Sequence, residues 1–133
     1  MTRLSVAFRA LRRAGIVARQ RFMCCMGCGL STLANEHEAG QHRSAAGCCF
    51  YHIQDAARLD EHGQCHLTFS AFERPRESDR AHDARTVALG HKIVTILEAH
   101  GVPCSWPGKA DTRILIWRDA ETARRAALVA LAS

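Results

Sequence analysis

Seven cysteines, four of them in two adjacent pairs, constrain this chain more than any other feature. They are Cys24, Cys25, Cys28, Cys48, Cys49, Cys65 and Cys104. Disulfide frameworks of small secreted domains use an even number of separated cysteines. Here the number is odd, adjacent cysteines bridge badly, and the first residues do not read as a secretory signal. The expectation is a cytoplasmic protein with reduced thiols, held together by a hydrophobic core. With 133 residues, 47% of them hydrophobic and 23% charged, the chain can build that core as a single domain over residues 1–133. No apolar run is long enough to span a membrane, so a soluble protein with no membrane partner is expected.

The formal net charge is +5, and the excess is concentrated early. Residues 1–21 hold Arg3, Arg9, Arg12, Arg13, Arg19 and Arg21 and no acid. Such a segment suits an acidic surface. The partner it implies is an acidic protein, met through Arg9, Arg12 and Arg13; the plainer alternative is a solvated helix face. Few aromatic residues accompany these arginines, and no nucleic-acid-binding signature is present, which argues against nucleic acid. An acid-free, Arg-rich start also resembles a mitochondrial presequence. Against that, the pattern runs into the cysteines without a break in composition.

Hydrophobic periodicity supplies the elements. Leu4, Ala7, Phe8, Leu11, Gly15 and Ala18 share a helical face, which predicts a helix over residues 3–18. Phe22 to Gly29 packs three thiols and two glycines into a turn. A second helix is predicted from Cys28 or Ser31 to Ala39, with Gly40 ending it. Gly47 to Ile53 reads as a strand, with Asp55 as cap of a short helix through Leu59. Gln64 to Phe72 alternates Cys65, Leu67 and Phe69 with His66, Thr68 and Ser70, and reads as a second strand. Residues 73–82 read as a charged loop, followed by a helix from Asp83 to Ala99. Val102 to Trp106 and Arg113 to Trp117 read as a hairpin, and Glu121 to Leu131 as a last helix. The predicted order is α-α-β-α-β-α-β-β-α. The fold expected is α+β: about four mostly antiparallel strands, covered by helices largely on one face.

The cysteine turn carries the sharpest chemistry. Cys25 and Cys28 have CxxC spacing, and a turn brings two such sulfurs to one side of a tetrahedral zinc ion. Cys24, Cys25, Cys28 and His52 are the expected metal ligands, with His37, His42, Cys48 and Cys49 also within reach in sequence. The same residues suit thiol redox chemistry, with Cys25 attacking and Cys28 resolving, helped by a helix dipole and by Arg19 and Arg21. One feature speaks against that: redox motifs of this type follow a strand, and here a helix is predicted. The third reading makes the cysteines small apolar fillers. His52, Gln54 and Asp55 form a second constellation, a histidine with a carboxylate to orient it, the plainer alternative being Asp55 as a cap and His52 as a partly exposed strand residue. Catalytic candidates are therefore Cys25, Cys28, His52 and Asp55. There is no phosphate loop, dinucleotide fingerprint or nucleophile elbow.

Three functions follow. The first is a ligand- or metal-binding regulatory domain centred on Cys24, Cys25 and Cys28. The second is a thiol-redox enzyme, and the third an interaction module with structural cysteines. Phe22-x-Cys24-Cys25-x-x-Cys28-Gly29, followed by Phe50-Tyr51-His52-x-Gln54-Asp55, resembles a family of uncharacterised bacterial proteins. Gly90 to Ile116 is similar to the end of that family. The resemblance implies a bacterial, cytoplasmic protein whose basic helix belongs to the domain, and it implies no activity. Cys48 and Cys49 depart from the family pattern, in which apolar residues precede the Phe-Tyr-His.

Overall fold

Helix α1 (Arg3–Arg13) opens the structure, a computed structural model that describes residues 2–132. Thr2 caps it by accepting the Ser5 N–H at 3.0 Å, and Leu4, Ala7, Phe8 and Leu11 form its buried stripe. The helix ends at Arg13, not at Ala18. Gly15 turns left-handed at φ 85°, and the Ile16 N–H returns to the Leu11 carbonyl while the Gly15 N–H reaches that of Arg12. That double closure is a Schellman stop, which a glycine in this conformation permits.

The chain leaving the stop forms strand β1 (Val17–Arg19). Then come α2 (Met26–Glu38), β2 (Gly47–Phe50), α3 (Ile53–His62) and β3 (Gln64–Ala71). They are followed by α4 (Asp79–Ala99), β4 (Cys104–Ser105), β5 (Ile114–Trp117) and α5 (Ala120–Ala132). The fold is α+β, as expected, but the sheet has five strands and is mixed, in the order β1-β2-β3-β5-β4. The addition is β1, which runs parallel to β2; every other pairing is antiparallel. Parallel neighbours need a crossover, and α2 supplies it.

Burial follows the pleat. Cys49 and Tyr51 join Leu67, Phe69, Ile114 and Ile116 in the main core beneath α1, α3 and α4. Cys48 and Phe50 point the other way and form a smaller cluster with Leu33 and Leu30 of α2. Helices therefore cover both faces of β2, and all four of its residues are buried. Helix α4 starts earlier than predicted, because Ser78 caps it through the Ala81 N–H. The charged loop is correspondingly shorter. Helix α5 contributes no buried residue.

Candidate metal centre

The cysteine turn lies between the end of β1 and the start of α2, so the motif does follow a strand. In open sheets with a parallel crossover, the carboxyl end of the strand and the first turn of its helix are the usual place for a site. Backbone bonds hold the loop: Phe22 N–H donates to the Tyr51 carbonyl at 2.9 Å and Ile53 N–H to that of Met23 at 3.0 Å. The Gln54 amide donates to the Cys24 carbonyl at 3.1 Å. Arg21 and Met23 sit left-handed at φ 51° and 63°, unusual for residues with side chains and sustained here by those ties.

Cys25 is the N-cap of α2, and Cys28 lies in the first turn. The two glycines differ. A Cβ on Gly29 would overlap the Phe50 ring, whereas one on Gly27 would meet nothing within 4 Å. Gly29 lets the first turn settle onto Phe50, while the thiols stay outside.

The sulfurs of Cys24, Cys25 and Cys28 all lie within 4.8 Å of one another. Cys24 and Cys28 are exposed and Cys25 is half-buried. Cys24 Sγ stands 3.8 Å from Cys25 Sγ. Cys25 makes no full side-chain capping bond, yet the Cys28 amide is the strongest influence on it and, with the Cys28 and Cys24 thiols, lowers its pKa. Cys28 goes the other way, to about 11, because its S–H donates to Cys24 and Cys25 and it faces their charge. The trio thus pairs a thiol that ionises more readily than usual with one that holds its proton more tightly.

Arg19 and Arg21, expected to stabilise a thiolate, are committed elsewhere. Arg19 makes a two-pronged pair with Glu36 at 2.6 and 2.9 Å, and Arg21 one with Asp60 at 2.9 and 3.1 Å. Arg19 and His42 together hold the Glu36 carboxyl at about 2. His42 lies 2.8 Å from Glu36, and His37 stacks on Phe72 at 4.3 Å. Neither meets the sulfurs.

His52 and Asp55 make no hydrogen bond to the cysteine loop; their neighbours Tyr51, Ile53 and Gln54 do. His52, not Asp55, is the N-cap of α3; its Nδ1 accepts the Asp55 N–H at 3.2 Å. The Asp55 carboxylate returns to the His52 N–H at 3.4 Å, closing a capping box. His52 Nε2 lies 3.0 Å from Asp55 Oδ2. Since Nδ1 accepts, the proton of a neutral ring is on Nε2, facing that carboxylate. Asp55 is fully buried and also faces Arg113 at 3.3 Å and Arg58 at 3.4 Å. Those two arginines have no motif that links them to Asp55 in sequence. Among the described residues no imidazole or carboxylate joins the three sulfurs.

Of the other cysteines, Cys48, Cys49 and Cys65 are buried and Cys104 is half-buried. Burial raises Cys48, Cys65 and Cys104 to about 12 and Cys49 well above the ordinary value. Cys48 and Cys49 face opposite sides of β2, so they do not form a pair of ligands. In α1, Arg9, Arg12 and Arg13 are exposed, and Arg12 donates to the Ala18 carbonyl at 3.2 Å.

Residues 1–126 match the model of a family described as a domain of unknown function, DUF6891. The chain belongs to DUF6891. No curated protein and no solved structure matches it. The DUF6891 match takes in the basic helix, the thiol trio, the His52–Asp55 box and Arg113, and it ends inside α5. No described helix is long and apolar enough to cross a membrane.

Proposed function

We propose that this DUF6891 protein is a metal-binding regulatory domain that takes one soft cation, zinc first, on Cys24, Cys25 and Cys28. The observation that carries this reading is the convergence of three sulfurs within 4.8 Å at the surface. Thiolates about 2.3 Å from one zinc ion stand about 3.8 Å apart along the edge of a tetrahedron. The Cys24–Cys25 separation is already 3.8 Å. Soft thiolates favour zinc and copper(I) over hard cations. Three ligands from one chain leave a fourth position for solvent or a partner's donor. His52 would have to leave Asp55 to fill it. Binding displaces protons: Cys28 keeps its own to about pH 11 in the free chain, so affinity rises with pH through the neutral range.

Titration of chelator-free protein against a chromogenic zinc indicator tests this. One equivalent should bind, and any single serine substitution in the trio should weaken it. Cobalt substitution should give a thiolate-to-metal charge-transfer band. Freely titratable thiols with no stoichiometric metal would exclude the reading.

A second reading is supported by the unequal thiols and by the strand that precedes the motif. The Cys25 thiolate attacks a substrate disulfide and expels one substrate thiolate. Cys28 loses its proton and attacks Cys25 Sγ, expelling the other. The substrate ends reduced and the chain carries a Cys25–Cys28 disulfide. Cys28→Ser should then trap the mixed disulfide, which a purely metal-binding protein would not accumulate.

A further inference from the structure

Beside Arg58 and Arg113, two partners of Asp55, lies an open cleft of about 360 Å³, lined by these arginines and by His62, Gln64, Cys65 and His66. Its free polar groups are almost all donors. Arg58 and Arg113 each use one nitrogen on Asp55, at 3.3–3.4 Å. Charge-assisted bonds of this kind are normally 2.7–2.9 Å, so neither guanidinium is saturated. Their other N–H groups have no hydrogen-bond partner among the described residues. The Gln64 oxygen accepts the Trp117 indole N–H at 3.1 Å, which leaves the amide NH₂ to donate. Cys65 stays a thiol to about pH 12. Burial and the charge of Arg113 keep His66 neutral below its usual range, so its ring still carries one N–H. No carboxylate lines the cleft; Asp55, fully buried, faces both guanidiniums, and one negative charge against two positive leaves a positive charge uncompensated. Glu61, 3.6 Å from His62, is exposed to solvent.

We propose that this cleft binds the phosphate of a small organic phosphate, clamped by Arg58 and Arg113 with Gln64 donating from the side. A phosphate monoester offers three acceptor oxygens and up to two charges, which suits two unsaturated guanidinium forks, an amide and an imidazole better than a carboxylate does. The site shares no residue with the thiol trio and does not depend on its function.

The test uses the full chain, ¹⁵N-labelled, with phenyl phosphate, inorganic phosphate and benzoate at fixed ionic strength. Phenyl phosphate should give saturable shifts at the Gln64 side-chain amide and the Arg58 and Arg113 Nε–H groups. Arg58→Gln should weaken binding about tenfold or more, as expected for loss of a charged donor. Gln64→Glu keeps an oxygen for Trp117 but puts a negative charge in the cleft, and should abolish binding. An unmoved Trp117 indole signal would certify its fold. Unchanged affinity in a folded Gln64→Glu protein would overturn the proposal, as would shifts that rise linearly with every anion. Benzoate binding as tightly as phenyl phosphate would overturn the assignment to phosphate.

Discussion

The cysteine turn and the start of α3 are joined by three hydrogen bonds, yet they have opposite characters. One is an exposed set of sulfurs with few obligations. The other is a buried carboxylate that serves a helix cap, a histidine and two arginines at once. In sequence both look like reactive constellations. In the fold one is available for chemistry and the other is a frame. Residue type suggests function, whereas the number of partners already held decides what is left over for it.

The largest test of that contrast is Asp55→Ala. Removing one member of a buried charge network strands the others, and a loss of about 3–5 kcal/mol is expected. Urea denaturation measures it, and a loss below about 1 kcal/mol would remove Asp55 from the frame. The two glycines give a finer cut. Gly29→Ala should cost about 1–3 kcal/mol, because its methyl group meets the Phe50 ring. Gly27→Ala, with open space around it, should gain about 0.5–1 kcal/mol of helix stability. Equal effects at the two positions would mean that the first turn is not seated on Phe50.

Serine at Cys24, Cys25 and Cys28 together should leave the urea midpoint unchanged in metal-free protein while abolishing zinc binding. A large drop in that midpoint would return the trio to the frame. The smallest effect is a difference in rate. Alkylation of Cys25 should reach half its maximal rate at a lower pH than that of the other two thiols of the turn, since its lowered pKa exposes thiolate earlier. Cys28 should respond only towards pH 11. Mass spectrometry of the labelled sites reads both, and the buried Cys48, Cys49 and Cys65 should stay unlabelled until the chain unfolds.

Much of this was legible in sequence. The thiol cluster, the alternation in β3 and the long α4 all follow from spacing and period. The β1 strand did not, because Ile16 to Ala18 extends the apolar stripe of α1 and three residues carry little period of their own. Gly15 was the available signal, and counting it as part of the helical face concealed the stop. Aspartate is a common cap, which is what Asp55 suggests in sequence; in the fold it serves the third position of a box whose cap is His52. The arginine at 113 reaches Asp55 across 58 positions, a distance over which no local pattern operates. Cys48 and Cys49 suggest a pair of ligands only by their adjacency, since neighbouring residues of a strand point to opposite faces.

Strand β1 is three residues long, lies at the edge of the sheet and pairs only with β2. Elements tied in so lightly open at the lowest free energy, well before the whole fold does. The thiols sit where that edge gives way to α2, so an ion on them would act as a clasp. Amide exchange in β1 and the first turn of α2 should slow when zinc is added, while exchange in β3 and β5 stays as it was. Metal binding would then be registered at one edge seam of the sheet.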